Sequence, residues 1–183
     1  MGKILESIDD SLRGWIEKQK VFFVATAPLS AGGHANCSPK GLDTFRVLGP
    51  RRVVYQDLTG SGVETISHLR ENGRITIMFC AFEGAPQIVR LQGRGTVFEK
   101  GTAGFCELAS LFDPNVGERS IIEVSVNRIS SSCGFAVPLY EFQGNRDTLD
   151  KYSEKKGEDG MAEYRRKNNR ASIDGLPGLV GIE

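Results

Sequence analysis

The sequence predicts a mainly β fold with peripheral helices, an α+β chain whose strands build a small antiparallel barrel. Short apolar, β-branched runs recur about six or seven times, and several are joined by Gly- or Pro-marked turns too short for a crossover helix. Nor do strands and helices alternate as in a doubly wound sheet. With 183 residues, 39% of them hydrophobic and 25% charged, the chain is long enough to bury a core of its own. Its 22 glycines exceed the average usage of about 7% and point to tight turns and close backbone approaches.

Taken in order, Ile4, Leu5, Ile8, Leu12, Trp15 and Ile16 recur at three- and four-residue spacing and predict an amphipathic helix ending near Gln19. Val21 to Ala27 is an apolar, aromatic run closed by Pro28 and Gly32-Gly33, a buried strand. Three extended stretches follow, His34 to Gly41, Thr44 to Leu48 and Arg52 to Asp57, and their short links predict antiparallel hairpins or a meander. Leu58 to Ile66 reads as a glycine-containing entry to a short helix that stops at Asn72-Gly73. Arg74 to Phe82 and Gln87 to Glu99 are strands, the second interrupted by Gly93 and Gly95, where a bend is expected. A short helix from Gly101 to Phe112 precedes the alternating strand Ser120 to Arg128. The remainder is polar: a loop through Pro138, two charged helical stretches either side of Gly157 to Gly160, and an irregular tail from Ser172. The expected division is residues 1–145 as the barrel domain and 146–183 as a helical extension and tail packed on it.

Charge and cysteine usage narrow the function classes. Lys plus Arg and Asp plus Glu balance at 23 each, so the electrostatic footprint of a protein that holds a nucleic acid or an anionic bilayer is missing. Cys37, Cys80, Cys106 and Cys133 lie too far apart in sequence for a zinc knuckle or redox pair and are expected to be buried thiols. No metal site is expected. No apolar run approaches a membrane span, the first ten residues carry carboxylates where a signal peptide would be apolar, and reduced thiols suggest the cytoplasm.

Three segments carry candidate chemistry. Asp57 to Thr65 offers a helix start whose unpaired amides suit an anion, although Ser61-Gly62-Val63-Glu64 equally reads as a capping box that would use some of those amides. Asn36, Ser38 and Lys40 share one face of a strand, which is either a protected, solvated edge or a surface for a polar ligand. Arg90, between Val89 and Leu91, either lies on an exposed strand face or supplies a fork for an anion. His34 and His68 have no metal-ligand spacing and read as surface or structural. No hydrolytic constellation is visible, so chemistry here points to a bound cofactor.

Phe22-Phe23-Val24-Ala25-Thr26, Asn36-Cys37-Ser38-Pro39-Lys40-Gly41, Tyr55-Gln56-Asp57, Gly60 to Thr65, Leu69 to Ile75 and Arg90-Leu91-Gln92-Gly93, taken in order, resemble the pyridoxamine 5'-phosphate oxidase-related family of flavin-binding split barrels. The likeness is to an uncharacterised branch. The carboxy-terminal Trp and Arg elements of the true vitamin B6 oxidase are not recognisable, and the only tryptophan is Trp15. The resemblance implies a six-stranded antiparallel split β-barrel and a homodimer with FMN in a cleft at the subunit interface. It also implies an FMN-dependent oxidoreductase acting on a small substrate; the alternative is a non-catalytic holder of a flavin, deazaflavin or other planar cofactor. Carried over, Asn36, Ser38, Pro39 and Lys40 lie along the flavin ring with Lys40 near its pyrimidine edge. Tyr55, Gln56 and Asp57 flank the ribityl chain, Thr65 faces the phosphate, and Arg90 completes the cofactor-binding set. Many flavin-binding members have a basic residue where this chain has Glu64, which disfavours a dianion.

Overall fold

The computed structural model describes residues 2–182. Its centre is one sheet of eight strands, every pairing antiparallel, in the order β3-β2-β6-β7-β8-β5-β4, with the short β1 added to β8. The strands are β1 Lys3–Leu5, β2 Phe22–Thr26, β3 Asn36–Lys40, β4 Phe45–Gly49, β5 Arg52–Leu58, β6 Arg74–Cys80, β7 Ile88–Glu99 and β8 Glu118–Ser132. Helices α1 Asp10–Lys18, α2 Glu64–Asn72, α3 Ala103–Ala109 and α4 Thr148–Asn168 complete the α+β architecture.

The structure revises the amino-terminal reading. Residues 3–5 form a strand against Ser131 to Ile129 rather than the first turn of a helix. The helix begins later because Asp9 caps it, accepting from the Leu12 amide at 2.8 Å, so α1 buries Leu12 and Ile16 of the stripe and packs a half-buried Trp15 against the same core. The sheet therefore holds eight strands, one more than the seven extended stretches read from the sequence and two more than the family resemblance implies. β3 and β4 follow each other in sequence but do not pair; they stand at opposite ends of the strand order. Residues 41–44 link them, and so short a link reaches less than about 20 Å, so the sheet curls until its two edges approach.

Other local signals act as expected. Gly73 ends α2 in the left-handed conformation, φ 69°, and its amide returns to the Leu69 carbonyl. The register of β7 on β8 shifts between Gln92 and Gly93. A Cβ on Gly93 would collide with the Ser125 carbonyl oxygen, so the bulge needs glycine. In α4 the two charged helical stretches meet at Gly157, whose φ of 66° breaks the helix.

The core fills the concave side of the sheet. Phe22, Phe45, Tyr55 and Phe79 pack with ring centroids 5.1–5.8 Å apart, and Leu12, Ile16, Val24, Leu69, Ile77 and Leu91 surround them. α3 packs Phe105 and Leu108 with Val54 and Ile121. Only Cys80 is a buried thiol, against the expectation for all four. Cys37 sits on an edge strand, Cys106 on the open side of α3 and Cys133 just beyond β8, where no apolar partner covers them.

Candidate functional site

Asn36, Ser38 and Lys40 alternate along β3 and pair directly with Thr26, Val24 and Phe22. Directly paired residues share a face, and those three are buried, so the polar set points to the concave side and not to a solvated edge. There it finds polar partners. Ser38 Oγ donates to Asn36 Oδ1 at 3.1 Å, and Asn36 Nδ2 donates to Thr65 Oγ1 at 3.0 Å across to α2.

Lys40 reaches Asp57 on β5. Asp57 is fully buried and takes Lys40 Nζ on Oδ1 at 2.9 Å and Arg119 Nε on Oδ2 at 2.7 Å, with Ser120 Oγ at 3.2 Å. Burial by itself would raise the Asp57 carboxyl, but the Arg119 and Lys40 charges and their hydrogen bonds outweigh it and hold the group well below the usual carboxylate range. One carboxylate thus serves two cations, and the cluster keeps a net positive charge. Arg119 Nη1 also donates to the Gly62 carbonyl at 2.8 Å and to Asn169 Oδ1 at 3.0 Å. Its Nη2 has no protein partner among the described residues.

Two clefts meet over this cluster. The smaller, about 740 Å³, is polar and is lined by Asn36, Ser38, Lys40, Thr65, Arg119 and the Gly60-Ser61-Gly62 turn, among others. The larger, about 1440 Å³, is walled by Pro39, Lys40, Gln56, Trp15, Phe142 and Tyr152, among others. Lys40, Leu58 and Gly60 line both.

Seven of the nine expected cofactor residues lie at or directly beneath these clefts: Asn36, Ser38, Pro39, Lys40, Gln56 and Thr65 in the walls, and Asp57 under Lys40. Gln56 is turned by Glu118, whose Oε2 accepts from its Nε2 at 2.9 Å. Tyr55 is not with them. It is fully buried against Phe22, because β5 is covered on both faces and Tyr55 takes the core side. Burial raises its phenol well above the ordinary value. Arg90 also stands apart, opposite Met78 and Ser130 on the outer face, where it donates to Ser132 Oγ at 3.2 Å.

The capping box does not form. Val63 is the N-cap and no side chain caps α2; the Glu64 carboxylate instead accepts from the Ile173 amide at 3.3 Å. Glu64 still lines the smaller cleft. The tail that brings Ile173 there closes over its own chain: Asp174 holds the His34 amide and ring, each at 2.7 Å. His68 is buried on the inner side of α2, its Nδ1 against Thr26 Oγ1 at 2.9 Å, with burial lowering its pKa. Sequence reasoning missed Arg119 and Asn169. The available signal for Arg119 was a cation followed by the apolar alternation of β8, which says nothing of its partner 62 residues earlier.

A curled antiparallel sheet with helices on its flanks, and two clefts that meet at Lys40, Leu58 and Gly60, define an α+β protein of the pyridoxamine 5'-phosphate oxidase-like fold. The HupZ protein of Group A Streptococcus, in the form of a point variant, superposes with a TM-score of 0.52 at 22% identity over 68% of this chain and 99% of that one. A Lactobacillus delbrueckii protein provisionally assigned as a pyridoxamine 5'-phosphate oxidase superposes with a TM-score of 0.52 at 15% identity over 69% and 98%. The sequence is more specific. A family model for pyridoxamine 5'-phosphate oxidase matches residues 8–133, and the pyridoxamine 5'-phosphate oxidase family protein ustO of Aspergillus flavus is 43% identical over 95% of this chain and 76% of its own length. The chain belongs to the pyridoxamine 5'-phosphate oxidase family. Among the described residues no helix is long and apolar enough to cross a membrane, and no cluster of His, Cys, Asp and Glu is placed to hold a metal.

Proposed function

We propose that this protein is an FMN-dependent oxidoreductase acting on a small-molecule substrate, other than a vitamin B6 oxidase. Members of its family typically bind flavin. The observation that carries the reading is the joint between the two clefts: a polar, net positive lobe and an apolar lobe share Lys40, Leu58 and Gly60, which suits a ligand with an anionic end and a planar end. The donors fit such a ligand. Arg119 and Lys40 together outnumber the charge of Asp57, and Asn36, Ser38 and Thr65 add neutral hydrogen-bonding groups.

In this reading Thr65 and Arg119 hold the phosphate, Ser38 lies along the ring, and Gln56 and Asp57 flank the chain that joins the two. The bound flavin supplies the electron transfer; the protein supplies binding and electrostatics. Lys40, anchored by Asp57, keeps a cation beside the ring, where it favours a reduced, negatively charged cofactor. Pro39 and Trp15 exclude water from one wall of the larger lobe, whose remaining volume admits the substrate.

A visible absorption spectrum and a titration of FMN fluorescence test this directly. The purified protein is expected to carry or take up stoichiometric FMN, and a colourless protein that leaves FMN fluorescence unquenched refutes it. The second reading, a flavin or deazaflavin holder without turnover, is favoured by Lys40 being engaged in an ion pair, which fixes a charge without moving protons. Stopped-flow mixing with a nicotinamide donor separates the two, since only the oxidoreductase bleaches the flavin band and recovers it with an acceptor.

A further inference from the structure

The family match ends at residue 133, yet the smaller cleft is finished by later residues, Lys167, Asn168, Ala171, Ser172 and Ile173. Behind that wall, just past α4, Asn169 is fully buried. Its Nδ2 donates to the Gly60 carbonyl at 3.1 Å and its Oδ1 accepts from Arg119 Nη1 at 3.0 Å. Its backbone carbonyl accepts from the Leu179 amide at 2.9 Å, and Leu179 is buried with Val63 and Ile66 at the start of α2. The tail is thereby tied to both walls.

One amide therefore fixes two parts of the cleft, the Gly60 turn and the Arg119 guanidinium. A guanidinium is planar, so Asp57 on Nε and Asn169 with Gly62 on Nη1 set the plane in which Nη2 lies. Arg119 is only 5% exposed, and it lines the cleft with that one nitrogen unpartnered among the described residues. An amide suits the position because it donates and accepts at once while carrying no charge to offset the cations. Aspartate would keep the acceptor, lose the donor to Gly60 and add a negative charge beside an anion site.

We infer that Asn169 is a positioning residue for the anion end of the site. On this inference, which rests on the flavin reading above, the carboxy-terminal segment gives the protein its preference for a phosphorylated over an unphosphorylated flavin. The test is a pair of equilibrium titrations of the full chain, with FMN and with riboflavin, on the wild type and on Asn169→Ala and Asn169→Asp. Thermal melting of each variant checks that it is folded. The wild type is expected to favour FMN. Both variants are expected to lose about tenfold in FMN affinity, the scale of one hydrogen bond to a charged group, with riboflavin affinity held within about twofold. Should Asn169→Ala fail to fold, Asn169→Ser, which loses the amide's reach to Gly60 and Arg119 and adds no charge, takes its place, and Asn169→Asp serves as the electrostatic comparison. Equal losses for the two flavins, or none for either, overturn the inference, since the amide then only packs. A wild type that binds both equally also overturns it while leaving the flavin reading standing; a wild type that binds neither removes both.

Discussion

Asp57 is the residue on which the site turns, because it is the only carboxylate bonded to both cleft cations, Lys40 and Arg119, among the described residues. Removing its charge leaves two cations facing each other in the protein interior, and breaking a buried pair costs about 3–5 kcal/mol. For Asp57→Asn the expected result is a Tm lower by about 6–20 °C in a chain of this size, read by calorimetry. The folded carboxyl titrates below its unfolded value of 3.8. Its contribution to stability is therefore fully present above about pH 4 and drains away as pH falls through the folded value. Urea denaturation should show wild type losing more stability than Asp57→Asn between pH 7 and pH 3, and parallel losses would mean that Asp57 is not the group that titrates. Lys40→Ala is different in kind, since Arg119 remains on Asp57. It is expected to melt close to wild type yet to bind FMN about ten- to a hundredfold more weakly, the range for a charge-assisted contact; unchanged affinity would take Lys40 out of the site.

Elements were legible wherever one period dominated. β2, β6 and β7 could be read from their apolar runs, α2 from its glycine stop, and the break in α4 from Gly157. β5 was legible as a strand but not by face: all five residues from Val53 to Asp57 are buried, so nothing in the pattern separated Tyr55, in the core, from Gln56, in a cleft wall. The capping box failed for a related reason, because the Glu64 carboxylate is satisfied by Ile173, 109 residues away. Arg119 meets Asp57 only because β5 pairs with β8 in a register that sets Asp57 opposite Ser120, which no local spacing reveals. Glycine usage gives a test at this scale. At Gly93 an added Cβ meets backbone from β8, and Gly93→Ala should cost about 1–3 kcal/mol as an overpacked site does. At Gly60 nothing lies within 4 Å of the added atom, so Gly60→Ala should melt within about 2 °C of wild type, a shift below 1 kcal/mol. Two equal melting curves for these variants would show that the β7 bulge does not require glycine.

Across the whole molecule the surface is uneven. Phe135, Leu139 and Tyr140 are 81%, 74% and 63% exposed in a segment that is nonetheless held in place, with the Tyr140 amide on the Phe82 carbonyl at 2.9 Å and the Phe142 amide on Glu83 at 2.9 Å. Large apolar side chains presented by a fixed segment beside a cleft are a common feature of interaction surfaces, and Tyr140 and Phe142 line the larger cleft itself. A second copy of the chain is the occupant we propose, as the family resemblance implies. Zero net charge sets no long-range repulsion against self-association. Sedimentation equilibrium at micromolar concentration should then give twice the 20.0 kDa of one chain. Phe135→Glu with Leu139→Glu should halve that mass, and because the open side of the larger cleft loses its cover, FMN affinity should fall with it while Tm of the isolated fold changes little. A wild type that sediments as one chain rejects the homodimer, and a monomeric double variant with unaltered FMN affinity places the cofactor site wholly within one subunit.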